Sequence, residues 1–146
     1  MTLDNLLKIG QLKPHATSSE EVRRLLDAAA RNVADAEVTT ISVETRFDAA
    51  YKAIMQAALV AMMANGFRPD TSRPGHHATV VQSLPKTIGL DDRRMVVLDA
   101  FRKKRNISDY SGGWVDENTT VSCIAEAKAL LRDVKQWLAE NRPELV

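Results

Sequence analysis

The stretch "RKKRNISDYSGG", residues 102–113, concentrates the side chains of this chain that are best suited to chemistry. Arg102, Lys103, Lys104 and Arg105 form a run of four cations, followed by Asn106, Asp109 and Tyr110. Guanidinium groups beside an amide are suited to holding a phosphate or another anion. At 100° per residue, Arg102, Arg105 and Asp109 fall within about 40° of Leu98 on a helix, so they continue the stripe begun by Leu98 and Phe101. Asn106 lies beside that stripe, and Tyr110 lies about 120° round from Leu98. An apolar stripe that turns charged needs a reason, because a desolvated guanidinium without a partner is costly. Two readings stand at this point. The helix overhangs the core and pairs Arg105 with Asp109 at i,i+4, a contact that contributes only about 0.3–0.5 kcal/mol. Alternatively, the arginines line an anion-binding cleft at a subunit or domain interface. Lys103 and Lys104 read as a solvated face.

Composition limits what can position these residues. The chain has 146 residues, one domain's worth, with 45% hydrophobic and 27% charged residues. Twenty Lys and Arg balance nineteen Asp and Glu, so the whole molecule is no polycation. Charge is nevertheless uneven: Arg93, Arg94, Arg102, Lys103, Lys104 and Arg105 stand against Asp99 alone between residues 93 and 105. That local surplus points to an anionic partner for one face. A single cysteine, Cys123, excludes an internal disulfide and offers no metal-ligand spacing. The N-terminus has no apolar core of a signal peptide, and the most apolar run, residues 57–64, is far shorter than the roughly 20 residues of a membrane span. A cytoplasmic chain with no membrane segment and no cofactor is expected.

Breakers divide the chain into helix-sized pieces. A short helix is expected over residues 3–12, ended by Pro14, ahead of a core bundle over residues 18–142. Ser18 or Ser19 caps a helix with Val22, Leu25, Leu26, Ala29 and Val33 at helical spacing. Ser42 caps the longest apolar pattern, in which Phe47, Tyr51, Ile54, Ala58 and Met62 form one stripe up to Asn65 and Gly66. This should be the central, most buried helix. "HHATVVQSLPKTIG" reads as a helix broken near Pro85, and Asp91 and Asp92 open the cationic helix. A last helix runs Val121, Ile124, Ala127, Leu131, Val134 and Leu138 along one face until Pro143. "EVTTISV" is the one β-like run and reads as a connection. The fold expected is an all-α, antiparallel, up-and-down bundle of four to five helices in a single domain, 1–146.

The same residues carry a resemblance. A long helix "TRFDAAYKAIMQAALVAMMANG", then "PGHHATVVQSL", then an arginine-rich helix ending "RKKRNISDYSG" resembles the HEPN domain superfamily over roughly residues 44–138. Many active members pair an arginine and a following polar residue with a histidine four to six positions further on, in a metal-independent ribonuclease site between two protomers. Arg105 and Asn106 fit the first half. The second half departs: four, five or six intervening residues lead from Arg105 to Tyr110, Ser111 and Gly112, and from Arg102 to Ile107, Ser108 and Asp109. The three histidines are elsewhere, at His15, His76 and His77. A tyrosine with a pKa of about 10 moves protons poorly at neutral pH unless activated, whereas histidine titrates at about 6.5.

The resemblance therefore implies a homodimeric HEPN-like domain that binds a nucleotide or an RNA phosphate through Arg102, Arg105, Asn106 and Tyr110, without efficient catalysis. It also implies a cognate nucleotidyltransferase or antitoxin as a protein partner, in a toxin–antitoxin or nucleotidyltransferase-linked system. An RNA endonuclease using Arg105 and Tyr110 is the alternative, and a purely structural dimeric module is a third. His76 and His77 read as residues packed at a helix start, or as a histidine that folds toward Arg105. They do not read as a metal site. Trp114 is read as a loop anchor or a base-stacking residue, and Cys123 as a buried thiol.

Overall fold

The computed structural model describes residues 1–112 and 114–146, and the side chains of these except Tyr110 and Ser111. The described chain is mostly helical. Helix α1 spans Leu3–Lys8, α2 Ser19–Ala36, α3 Val43–Ala64, α4 His76–Gln82, α5 Leu84–Thr87, α6 Asp92–Ser111 and α7 Glu117–Asn141, with a final 3-10 turn at Pro143–Leu145. Side-chain oxygens of Ser18, Ser42, Asp91 and Asp116 accept from backbone N–H groups in the first turns of α2, α3, α6 and α7. Each cap removes an orphan donor that the helix cannot satisfy itself.

Helix α3 is the hub. It packs against α2 and α7 and also touches α4, α5 and α6. Phe47, Tyr51, Ile54, Ala58 and Met62 are all buried, as their spacing predicts. So are Ala50, Ala57 and Ala61, whose small side chains permit close packing on further sides of the same helix. None of the described helices is long and apolar enough to cross a membrane.

Three expectations are corrected. Helix α1 stops at Lys8 rather than reaching residue 12. Gly10 turns the chain with φ +78°, and a Cβ there would lie 2.5 Å from Nη2 of Arg73, which donates to the Ile9 carbonyl. Residues Leu12–Pro14 then form strand β1, paired antiparallel with β2, Phe67–Pro69, in the register Leu12↔Pro69. Strands of three residues, each ending in proline, are too short to show alternation in sequence. On α7 the buried face is shifted: Val121 is exposed, while Thr120, Cys123 and Leu130 are buried with Ile124, Ala127, Val134 and Leu138. The β-like run that begins at Glu37 is a connection as far as Ser42, as expected, and Val43 opens α3.

Arg46 is a buried cation that sequence spacing did not single out. Its Nε donates to the Ala36 carbonyl at 2.8 Å, and Nη1 to Glu117 at 3.1 Å. One guanidinium thus satisfies the C-terminal end of α2 and ties it to the first turn of α7.

Candidate functional site

The charged continuation of the α6 stripe faces the protein, and its members separate into different roles. Asp99 is buried, and Arg102 Nε donates to its Oδ1 at 2.6 Å. Gln82 of α4 donates to Oδ2 at 3.2 Å, and Lys103 Nζ lies 3.8 Å from the same oxygen. Burial alone would raise the Asp99 carboxyl. The hydrogen bonds from Arg102 and Gln82, with the charges of Arg102 and Lys103, hold it below its ordinary range. In return, the hydrogen bond to Asp99 raises Arg102. Arg102 is therefore engaged as a structural ion within α6, and its partner Asp99 carries the link to α4.

Arg105, one turn on, reaches a different environment. Its Cζ lies 5.2 Å from the ring centroid of Tyr51 on α3, a cation–π contact. Nη2 is 3.6 Å from Asp109 Oδ2, the i,i+4 pair expected from the spacing. The side chain is still 33% exposed, so the guanidinium is not used up by these neighbours. Asn106 is exposed and, like Arg102, does not line the cavity described below. The side chain of Tyr110 lies outside the described residues.

Arg105 sits at the edge of a cavity of about 600 Å³ between α3, α4 and the start of the segment after β2. Two residues of the "PGHH" turn also line it: His76 and His77. Gly75 makes this possible, because its φ of +78° lets the chain turn directly into α4 and present both imidazoles at the helix start. His77 Nδ1 is 3.2 Å from the Tyr51 hydroxyl, and the two imidazole rings meet nearly perpendicular at 4.7 Å. Of the two open readings of the histidine pair, the fold brings both rings into the cavity beside Arg105.

The electrostatics of the trio follow from burial. Tyr51 is 2% exposed, and desolvation pushes its phenol up to about 12 even though Arg105 and Arg102 pull it down. Burial lowers His77 from its ordinary value, and the charges of His76, Arg105 and Arg102 lower it further. A protonated phenol can donate to the Nδ1 lone pair of a neutral imidazole, and in that tautomer Nε2–H of His77 is left as a donor. On the flank, Asp48 is raised, first by desolvation and then by the nearby charge of Asp109. The rest of the lining is largely apolar, including Met55 and Leu59 of α3, Pro69 of β2 and Val80 of α4.

Such a cavity can hold one anionic group against Arg105 and the imidazoles, with an apolar body beyond it. It does not resemble a metal site: among the described residues no three His, Cys, Asp or Glu side chains converge. His15 is elsewhere, paired with Glu21 at 2.6 Å. Trp114 is 70% exposed, and the loop is anchored instead by its neighbour Val115, which is fully buried. Cys123 is buried, and desolvation pushes its thiol well above the ordinary value. No known family model matches the chain, and no curated protein shows a significant match to it.

Tyr51 is the functional candidate that the sequence did not announce. Its place in the stripe of α3 marked it as core, and only the crossing of α3 with α6 puts its ring under Arg105.

Proposed function

We propose that this chain is a HEPN-like helical bundle that binds a nucleotide or an RNA phosphate in the Arg105 cleft, without efficient catalysis. The observation that supports this most directly is the guanidinium of Arg105, its side chain one-third exposed, braced on the Tyr51 ring at 5.2 Å, at the edge of a cavity that also holds His76 and His77. In this reading Arg105 carries the anion and the Nε2–H of His77 is a second donor. Of the other residues of the cationic helix expected to bind, Arg102 is taken up by Asp99 and Asn106 lies outside the cavity. The domain works as a homodimer, with a nucleotidyltransferase or antitoxin as its protein partner. The decisive experiment is calorimetric titration with AMP, ATP and a short mixed RNA, repeated on Arg105→Gln. Binding that falls at least tenfold in the variant is expected. Absence of binding by the wild type to all three ligands rejects the reading.

One observation favours a second reading, a metal-independent RNA endonuclease. The histidine absent from the α6 pattern has a counterpart in His77, which reaches the same cavity from α4. An imidazole there can carry a proton to or from an RNA oxygen without a tyrosine having to ionise. Cleavage of a mixed RNA by the wild type, abolished in His77→Ala, supports the enzyme through His77. Cleavage abolished in Tyr110→Phe instead assigns the proton transfer to Tyr110. No cleavage supports the binding module.

A further inference from the structure

The cavity is charged at one end only. Asp48, Tyr51, His77 and Arg105 lie together, as their contacts and mutual charge effects show. Along α3, Leu59 is eleven residues beyond Asp48, roughly 16 Å at 1.5 Å per residue. Between them the wall is supplied by Ala49, Met55, Leu59, Pro69 and Val80, none of which can bind a second charge. The other polar residues in the lining are Thr45, Lys52 and His76, which adjoin Asp48, Tyr51 and His77 at that same end, Thr71, which is uncharged, and Gln56, which accepts from Asn32 at 2.8 Å. A polynucleotide needs a track of cations for successive phosphates. Beside Arg105 the carboxylates of Asp48 and Asp109 repel a second phosphate, and the other cations of α6, Arg102, Lys103 and Lys104, do not line the cavity.

From this asymmetry we infer that the natural occupant is a free small amphiphilic anion. It has one carboxylate or phosphate-monoester head on Arg105 and His77, and an aromatic or branched apolar body lying along Met55, Leu59, Pro69 and Val80. The inference rests on the reading that Arg105 receives an anion, and it names what else that ligand carries. A volume of about 600 Å³ is that of a pocket for a compact organic molecule. Apolar surface buried from water along this wall adds affinity in proportion to its area.

A ligand series on the full chain tests this. Titration is made with inorganic phosphate, phenyl phosphate, 1-naphthyl phosphate, 1-naphthoate, 1-naphthol and a ten-nucleotide RNA. Affinity should rise roughly 10- to 100-fold from inorganic phosphate to 1-naphthyl phosphate, because each added ring buries apolar area. Leu59→Gln and Met55→Gln should flatten that rise while leaving inorganic phosphate unchanged, and thermal melting checks that both variants fold. Naphthoate binding as well as naphthyl phosphate identifies a carboxylate head, and weaker naphthoate binding a phosphate head; both support the proposal. Inorganic phosphate that binds through Arg105 with a flat series overturns the apolar subsite and leaves the anion reading intact. Naphthol binding as tightly as the charged naphthyl compounds, or RNA outcompeting naphthyl phosphate, overturns the proposal. Binding by no ligand removes both readings.

Discussion

The guanidinium of Arg105 on α6 rests on the ring of Tyr51 on α3, with Cζ 5.2 Å from the ring centroid. The relation links the charged helix to the most buried helix of the protein and sets the direction of the arginine. It also explains why a tyrosine beside an arginine is not activated here. Burial outweighs the guanidinium charge, and the phenol is pushed up to about 12.

Replacing Arg105 should separate binding from stability. The cation–π contact and the 3.6 Å pair with Asp109 are both partly solvated, so Arg105→Ala should cost about 1 kcal/mol or less in urea unfolding. Anion binding should drop at least tenfold in the same variant. A loss of several kcal/mol with unchanged binding would show Arg105 to be structural.

Arg102 should behave in the opposite way. Its partner Asp99 is buried, and removing the guanidinium leaves a carboxylate supported chiefly by Gln82. Arg102→Ala should destabilise by roughly 3 kcal/mol, within the range for breaking a buried pair. Arg102→Ala with Asp99→Asn should recover part of that loss, since the uncompensated charge is gone. Urea midpoints of the two single variants and the double variant measure the coupling.

Stability should depend on pH through His77. Its folded-state value is lowered below the ordinary value of about 6.5, so the unfolded chain takes up the proton first as pH falls. The contribution is complete above pH ~6.5 and is lost as pH falls from there through the folded-state value. Asp48, which is raised, gives the opposite slope at lower pH and is common to wild type and variant. Unfolding free energy measured from pH 7.5 to 5 should therefore fall more steeply for wild type than for His77→Gln. Parallel curves would show that the imidazole is not desolvated.

Arg46 should be the most sensitive cation outside the cleft. It is buried and joins the end of α2 to the start of α7. Arg46→Ala should cost roughly 2–4 kcal/mol, since it leaves the Ala36 carbonyl without this donor and opens a cavity. Arg46→Lys should recover little, because one ammonium cannot reproduce the forked contact to both ends. Thermal denaturation of both variants decides the point.

Local chemistry was enough to mark most helices of this protein. Ser18, Ser42 and Asp91 announce their helices because capping needs only the next few residues, and the stripe from Phe47 to Met62 announces α3 because its period is 3.6. The turn of the α6 stripe from Leu98 and Phe101 to Arg102 and Arg105 was legible for the same reason, as was the pairing of Arg105 with Asp109. What sequence could not supply was the other half of each long-range contact. The three-residue strands are held by pairing between Leu12 and Pro69, positions 57 residues apart, and carry no periodic signal of their own. Asp99 takes Arg102 from its own helix and Gln82 from another, and Tyr51 meets both Arg105 and His77 from helices far along the chain. Those meetings depend on how helices cross, which is set by packing of whole faces rather than by any residue's neighbours. The sequence determined which groups are available for chemistry; the crossing of α3, α4 and α6 decided which of them share a cavity.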